Sequence, residues 1–207
     1  MPQIPGKYAE IGKHVLRNEA DAILKLSENL DEANFLKAMD LLANAKGKVV
    51  VSGVGKSGIV ARKLAATLSS TGTFCVFVHP VEALHGDLGM ITHDDVVIIY
   101  SHSGETAEMI TFMNSLAHLN IKTIAITGNN DSSIAKRADA ALETGVKEEA
   151  CTICTTFNLA PTTSVIAALA LSDALANTLH EVKGFQKRQF AKLHPGGTLG
   201  KKVATKP

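Results

Sequence analysis

Val49-Val-Val-Ser-Gly-Val-Gly-Lys-Ser-Gly58 restricts what this chain can fold into more than any other stretch. Val49, Val50 and Val51 form a β-branched run that fits a strand buried on both faces. Gly53, Gly55 and Gly58 permit a tight turn and close approach of backbone to a ligand. Ile59, Val60, Leu64 and Leu68 follow at helical spacing, with Ala61, Ala65 and Ala66 between them. A strand, a glycine turn and a helix start present free backbone N–H groups and a positive dipole end to an anion, and Lys56 adds a full charge. The spacing is not that of a nucleotide P-loop, G-x-x-x-x-G-K followed by Ser or Thr. It matches G-x-G-x-x-G, but no clear acidic residue stands about 20 positions on, as a dinucleotide site needs; Phe74–Val78 there reads as a strand.

A regular alternation surrounds this unit. Tyr8–Leu30 is expected to be an amphipathic helix, with Ile11, Val15, Ala22, Ile23, Leu26 and Leu30 on one stripe. Asp31 or Asn29 caps a second helix holding Phe35, Leu36, Met39 and Leu42, and Gly47 ends it. This N-terminal pair would cover a sheet edge or pack against another subunit. Strands are expected at Lys48–Ser52, Phe74–Val78, Val96–Ser101, Thr123–Thr127 and Ala140–Leu142. Helices are expected at Ser57–Ser70, Val81–Leu84, Thr106–Leu119, Ile134–Arg137 and Thr162–His180. Such spacing means right-handed crossovers and a mostly parallel sheet with helices on both faces. Val165–Leu171 is apolar all round, which points to the core or an oligomer interface. The tail from Leu193 to Gly200 reads as a loop. Ligands of such sheets bind beyond the carboxyl ends of the strands. Three polar turns fall there: Gly53–Gly58, Ser101–Thr106 and Gly128–Ser132.

Composition narrows the function. A chain of 207 residues suits one α/β domain. We divide it into N-terminal helices (1–46), a sheet core (47–145), and an active-site loop, C-terminal helix and tail (146–207). A net charge of +1 gives no support for nucleic-acid or membrane binding as the main activity. No apolar stretch is expected to reach the roughly 20 residues of a membrane span, and Met1–Lys7 is not a signal peptide, so the expectation is cytoplasmic. Three cysteines are too few for a disulfide framework. Cys151 and Cys154 form a single C-x-x-C, whereas structural zinc normally takes four ligands, so ordinary reduced thiols are expected.

Ser101-His-Ser-Gly-Glu-Thr106 follows one strand and opens a helix. Ser101, Ser103 and Thr106 offer hydroxyls beside free helix N–H groups, which suits a phosphate monoester. Capping by Ser103, with Glu105 complementing the dipole, accounts for only part of that set. His79 and His85 lie six apart after another strand, and a short helix between them can turn both toward the cleft. Glu108 is one helical turn from Glu105, and Lys147, Glu148 and Glu149 form a second charged cluster; both read first as solvated faces. His194 precedes Pro195-Gly196-Gly197, a loop that aims an imidazole or is merely a turn.

Taken together, six segments resemble the sugar isomerase (SIS) domain, and within it the arabinose 5-phosphate isomerases. They are Ser52–Gly58, His79–Gly89, Ser101–Thr106, Lys147–Cys151, Leu159–Ser164 and His194–Gly200, and they stand in family order. The serine-rich loop marks the wide superfamily; His85-Gly-Asp87, Leu159–Ser164 and His194-Pro-Gly-Gly197 mark the narrower group.

The resemblance implies a three-layer αβα sandwich, flavodoxin-like, with a five-stranded parallel sheet. It also implies a homotetramer with sites at subunit interfaces. The implied activity is interconversion of D-ribulose 5-phosphate and D-arabinose 5-phosphate through an enediol(ate), supplying Kdo for surface glycans. Catalytic roles fall on Lys56, Glu108, Glu149 and His194. Substrate contacts fall on Ser52, Ser57, Gly72, Thr73, His79, His85, Ser101, His102, Ser103 and Thr106. No cofactor is required, and His79 is where family members can hold an inhibitory zinc. Many members carry a pair of CBS domains, whereas this sequence ends at Pro207, so a form without them is expected. Cys151–Leu159 looks about four residues longer than usual, beside Glu149. The residues leave open whether Lys56 or His85 polarises the sugar oxygens, whether Glu149 or Glu108 moves the proton, and whether His194 assists ring opening or is the base. A non-catalytic sugar-phosphate sensor, or an isomerase or lyase for another sugar phosphate, is the alternative.

Overall fold

The aliphatic runs form the strands, and the 3.6-residue patterns between them form the helices. The computed structural model describes residues 6–150 and 159–196. Helices α1 (Lys7–Glu28) and α2 (Glu32–Ala43) lead into β1 (Val49–Gly53), α3 (Gly55–Ser70), β2 (Cys75–Phe77) and α4 (Pro80–Leu84). A 3-10 turn at Asp87–Met90 precedes β3 (Val96–Ser101), α5 (Ala107–His118), β4 (Lys122–Thr127), α6 (Ser133–Arg137) and β5 (Ala140–Glu143). Helices α7 (Thr163–Val182) and α8 (Lys187–Leu193) follow.

The five strands are parallel in the order β2-β1-β3-β4-β5. This is the flavodoxin-like winding expected from the resemblance, and its strand order reverses between β1 and β3, where a crevice opens. Every residue of β1 and β3 is buried, as a strand covered on both faces requires. On one face, Val49, Val51, Ile98 and Ile124 pack with Leu42 of α2, Leu64 and Leu68 of α3, and Leu171 and Leu175 of α7. On the other, Val50, Val97 and Ile99 pack with Met109, Phe112 and Leu116 of α5 and Ile134 of α6. The alternation of β-strand side chains thus feeds two separate cores.

Local signals explain most boundaries. The Asp31 carboxylate accepts a hydrogen bond from Asn34 N at 3.0 Å and caps α2. At the opposite end of the sheet from the crevice, Asp95 accepts from Lys48 N, Thr92 N and Lys48 Nζ, which pins the starts of β1 and β3 together. Helix α2 packs on β5, so it covers that sheet edge, one of the two expected roles of the helical pair.

Several expectations change. Gly47 does not end α2; Asn44 does, and Gly47 lies so close to Asp94 and Asp95 that a Cβ would collide with both. Leu193 closes α8, a helix not expected from the tail, and its capping box of Gln186 and Gln189 explains it. Glu105 does not serve its own helix, because its carboxylate accepts from Ser133 N at 2.7 Å and holds the start of α6. The expectation of no span-like stretch also fails, since α7 has 20 residues and a stretch of 18 of them has a mean hydropathy of 1.2. In this fold α7 lies along α3 and α1, with Leu171, Leu175 and Leu179 buried and Ser172 bonded to Tyr100. Its apolar run is not buried all round, for Val165, Ile166, Leu169 and Ala170 stay half-exposed.

Candidate active site

Where β1 ends, Gly58 tucks under Gly53: a Cβ on Gly58 would lie 2.6 Å from Gly53 O. That approach turns the chain from strand to helix within two residues and puts Lys56 and Ser57 in the first turn of α3, above the sheet. Gly55 has φ +59°, a left-handed value that glycine adopts without strain. Lys56 is exposed and has no ion-pair partner among the described residues.

Next to it, β3 ends in Ser101. The Ser101 hydroxyl shares a hydrogen bond with Thr106 Oγ1 at 3.0 Å and accepts from Gly104 N at 3.1 Å, which curls the loop over the start of α5. Ser103 Oγ accepts from Glu105 N at 3.2 Å and does not cap α5, whose N-cap Thr106 makes no side-chain cap either. The first N–H groups of α5 are therefore open to a ligand. His102 leans over Gly128, where a Cβ would sit 2.4 Å from its Cε1.

The third contribution comes from α7. Glu149 is 8% exposed and is no solvated face. Its carboxylate accepts from Thr162 N at 2.8 Å, Ser164 N at 3.1 Å and Ser164 Oγ. Burial disfavours its charge, but the bonds from Ser164 and Thr162, helped by nearby His102, outweigh that and hold its pKa below the ordinary carboxylate value.

These elements enclose a cavity of about 220 Å3. Its polar wall is Lys56, Ser57, Ser101, His102, Thr127, Thr144 and Ser164, and its apolar floor is Val60, Tyr100, Ile126, Val165 and Ala168. The first turns of α3 and α7 both point into it, so two positive helix ends face one space. A larger hollow of about 760 Å3 lies beside it, between α1 and residues 143–148. It carries side chains of both charges, including Asp21, Lys25, Glu143 and Lys147, and the start of α2 reaches it only through the Asp31 carboxylate, which repels an anion. The smaller cavity is therefore the better anion site. Of the three expected polar turns, two build it; from the third, Asn130 borders the larger hollow and Ser132 caps α6.

The remaining sequence-based residues divide into two groups. Ser52, His79, His85, Ser103, Thr106 and Glu108 lie at the same rim, at the carboxyl ends of β1, β2 and β3, outside the cavity lining. His79 and His85 flank α4; Ser52 Oγ and His79 Nδ1 are buried without a hydrogen-bond partner among the described residues. Gly72, Thr73 and His194 are not brought to the rim within one chain. Gly72 and Thr73 follow α3, at its opposite end, where the Phe185 ring covers Gly72 and Lys183 Nζ donates to Thr73 Oγ1. His194 caps α8, which begins beyond the far end of α7. There it stacks on Phe190 at 3.8 Å, and its Nδ1 donates to Phe190 O at 2.9 Å. A carbonyl only accepts, so Nδ1 carries a proton.

Zinc takes about four ligands. Among the described residues no three His, Cys, Asp or Glu side chains gather around one point, so a single chain does not complete a zinc site at His79. Cys151 and Cys154 lie outside the described residues. Cys75 is buried, which pushes its thiol up to about 12 and leaves it inert. Sequence reasoning missed Thr144 and Tyr100 as lining residues. Position at the end of a strand was the available signal for the former.

The SIS domain family matches residues 41–178. Over 188 residues the chain is 50% identical to the arabinose 5-phosphate isomerase KdsD of Pseudomonas aeruginosa, covering 91% of this chain and 56% of the relative. It is 45% identical over 194 residues to the arabinose 5-phosphate isomerase KpsF of Escherichia coli, covering 94% and 58%. The chain thus spans a little over half the length of these curated relatives. A protein of E. coli CFT073, solved in complex with A5P, superposes with a TM-score of 0.86 at 41% identity, covering 93% of this chain and 100% of the other.

Proposed function

This chain belongs to the SIS domain family, and from that premise we propose that it interconverts D-ribulose 5-phosphate and D-arabinose 5-phosphate. One observation carries the proposal: Lys56, Ser101, His102 and Ser164, which holds the Glu149 carboxylate, line one cavity at the carboxyl ends of the strands. The names of the relatives and the A5P complex of a 41% identical protein support the choice of sugar.

Aldose–ketose isomerisation removes a proton from the carbon beside a carbonyl and returns one to its neighbour, while a second group steadies the enediolate oxygen. In our proposal the α5 N–H groups, Ser101, Ser103 and Thr106 hold the phosphate. Lys56, exposed and without an ion-pair partner among the described residues, polarises the sugar oxygens, with His85 as the other candidate. Glu149 is favoured over Glu108 as the proton carrier, because it is buried against a lining residue whereas Glu108 is exposed on α5. The bonds that keep Glu149 ionised also make it a weak base, so substrate must draw it away from Ser164 before it takes a proton.

The proposal includes a homotetramer whose sites lie between subunits and a reaction that needs no metal. Helix α7 is about 30 Å long and α3 about 24 Å, which separates His194 and Gly72–Thr73 from the cavity of their own chain. A second copy supplies them. Ile59 and Phe74, 66% and 70% exposed, are apolar surface available to such contacts. We further propose that the enzyme supplies arabinose 5-phosphate for Kdo and acts in the cytoplasm. The test is incubation of the purified chain with arabinose 5-phosphate, with and without chelator, followed by NMR. Formation of ribulose 5-phosphate in both samples supports the proposal; ligand binding without turnover favours a sugar-phosphate sensor.

A further inference from the structure

Three buried side-chain atoms have no hydrogen-bond partner among the described residues: Ser52 Oγ, His79 Nδ1 and Thr144 Oγ1. All three lie at the carboxyl rim of the sheet, after or at the ends of β1, β2 and β5. A buried hydroxyl without a partner is a standing cost to the fold. Their concentration at the rim where a ligand is held points to ligand contacts rather than to defects of the fold, and of the three only Thr144 lines the cavity. Ser52 and His79 already have that explanation from the family resemblance; Thr144 does not.

Thr144 is 3% exposed and lines the 220 Å3 cavity together with Lys56, Ser101 and Ser164. Its backbone N donates to Thr127 O at 2.8 Å, continuing the β4–β5 pairing one residue past the strand and fixing the side-chain direction. Alternation along β5 puts it on the same face as Leu142, the face of the core that α2, α3 and α7 cover. Ser101 ends β3, two strands away, a separation of about 9.6 Å. A ligand whose phosphate rests on the Ser101–Thr106 loop therefore reaches Thr144 with its other end.

We propose that Thr144 is a substrate-contact residue, whose hydroxyl hydrogen-bonds a sugar oxygen at the end of the ligand remote from the phosphate. This rests on the sugar-phosphate isomerase reading above. The hydroxyl both donates and accepts, so it can follow that oxygen between carbonyl and hydroxyl states. Its contact is made in ground and transition states alike and is read in KM rather than kcat.

The test compares wild type, Thr144→Val and Thr144→Ser by NMR turnover, calorimetric binding of arabinose 5-phosphate and thermal unfolding. Valine keeps the shape and removes the hydroxyl. Thr144→Val is expected to weaken binding and raise KM about tenfold, while its unfolding midpoint stays equal or rises, because a buried orphan has gone. Thr144→Ser is expected to recover most of the lost affinity. Unchanged KM and affinity in Thr144→Val, with wild type active, overturns the role of Thr144 alone. Wild type that binds without turnover overturns the isomerase reading, and the binding comparison still decides Thr144. Wild type that does neither overturns both.

Discussion

Glu149 and Ser164 are joined by two hydrogen bonds, from the Ser164 backbone N at 3.1 Å and from its hydroxyl, so the buried carboxylate caps the helix whose first turn faces the cavity. One residue thus stabilises the start of α7 and, in the proposed reaction, carries the proton, and the two roles respond differently to pH.

Replacing Glu149 with Gln is expected to lower turnover about 10²–10⁴-fold, the usual scale for a general acid–base group. The stability effect has a definite sign. The folded-state pKa of Glu149 is depressed, so its contribution is complete above about pH 4.3, the unfolded value, and is lost as pH falls through the lower folded value. The unfolding midpoint of Glu149→Gln should lie below wild type at pH 7, and the gap should close in acid. A gap of equal size at pH 3 and pH 7 would remove the charge from this account.

Gly128 makes room for His102, since a Cβ there would lie 2.4 Å from the ring. Gly128→Ala should push His102 from the cavity wall and away from Glu149. Displacements of this size in a site cost up to about 10²-fold, so kcat/KM should fall by about 10- to 100-fold. Steady-state kinetics checks it, and wild-type kinetics in this variant would show that His102 does not contribute.

Asp95 is 2% exposed and holds Lys48 Nζ at 2.6 Å and two backbone N–H groups, at the sheet end opposite the cavity. Asp95→Ala leaves those donors unpaired and should cost about 3 kcal/mol, read by denaturant unfolding. Below its lowered midpoint the variant should keep wild-type KM, because nothing at the rim changes.

His194 and Lys56 sit at opposite ends of one chain, so each site is expected to draw them from different subunits. Lys56→Ala and His194→Ala should each be nearly inactive alone. Mixed and allowed to exchange subunits, they should regain activity, because some interfaces then combine an intact Lys56 with an intact His194. No recovery in demonstrated mixed oligomers would contradict shared sites.

Much of the fold was legible because two periodicities dominate it. Val49–Val51 and Val96–Tyr100 are buried on both faces and read as continuous apolar runs, and α3 and α5 carry clear stripes. The Ser101–Thr106 turn before α5 was legible too, since hydroxyls beside a helix start are a local pattern. Glu149 was misread as a solvated charge because its burial comes from α7, distant in sequence, which no local window contains. Glu105 was misassigned for the same reason, its partner Ser133 lying 28 residues on. Thr144 gave no compositional signal at all; it meets Ser164 and Ala168 of α7 only in the cavity wall, and they lie 20 or more residues away in sequence. The spread of His194 and Gly72 away from the cavity follows from helix length, which a list of motifs does not convey.

The most direct measurement is NMR observation of arabinose 5-phosphate mixed with the purified chain, in buffer and with excess chelator. This account predicts that ribulose 5-phosphate accumulates to the same equilibrium ratio in both, and that Glu149→Gln slows the approach by at least about 100-fold. A sample in which arabinose 5-phosphate stays unchanged while visibly bound, or in which Glu149→Gln matches wild type, would contradict it.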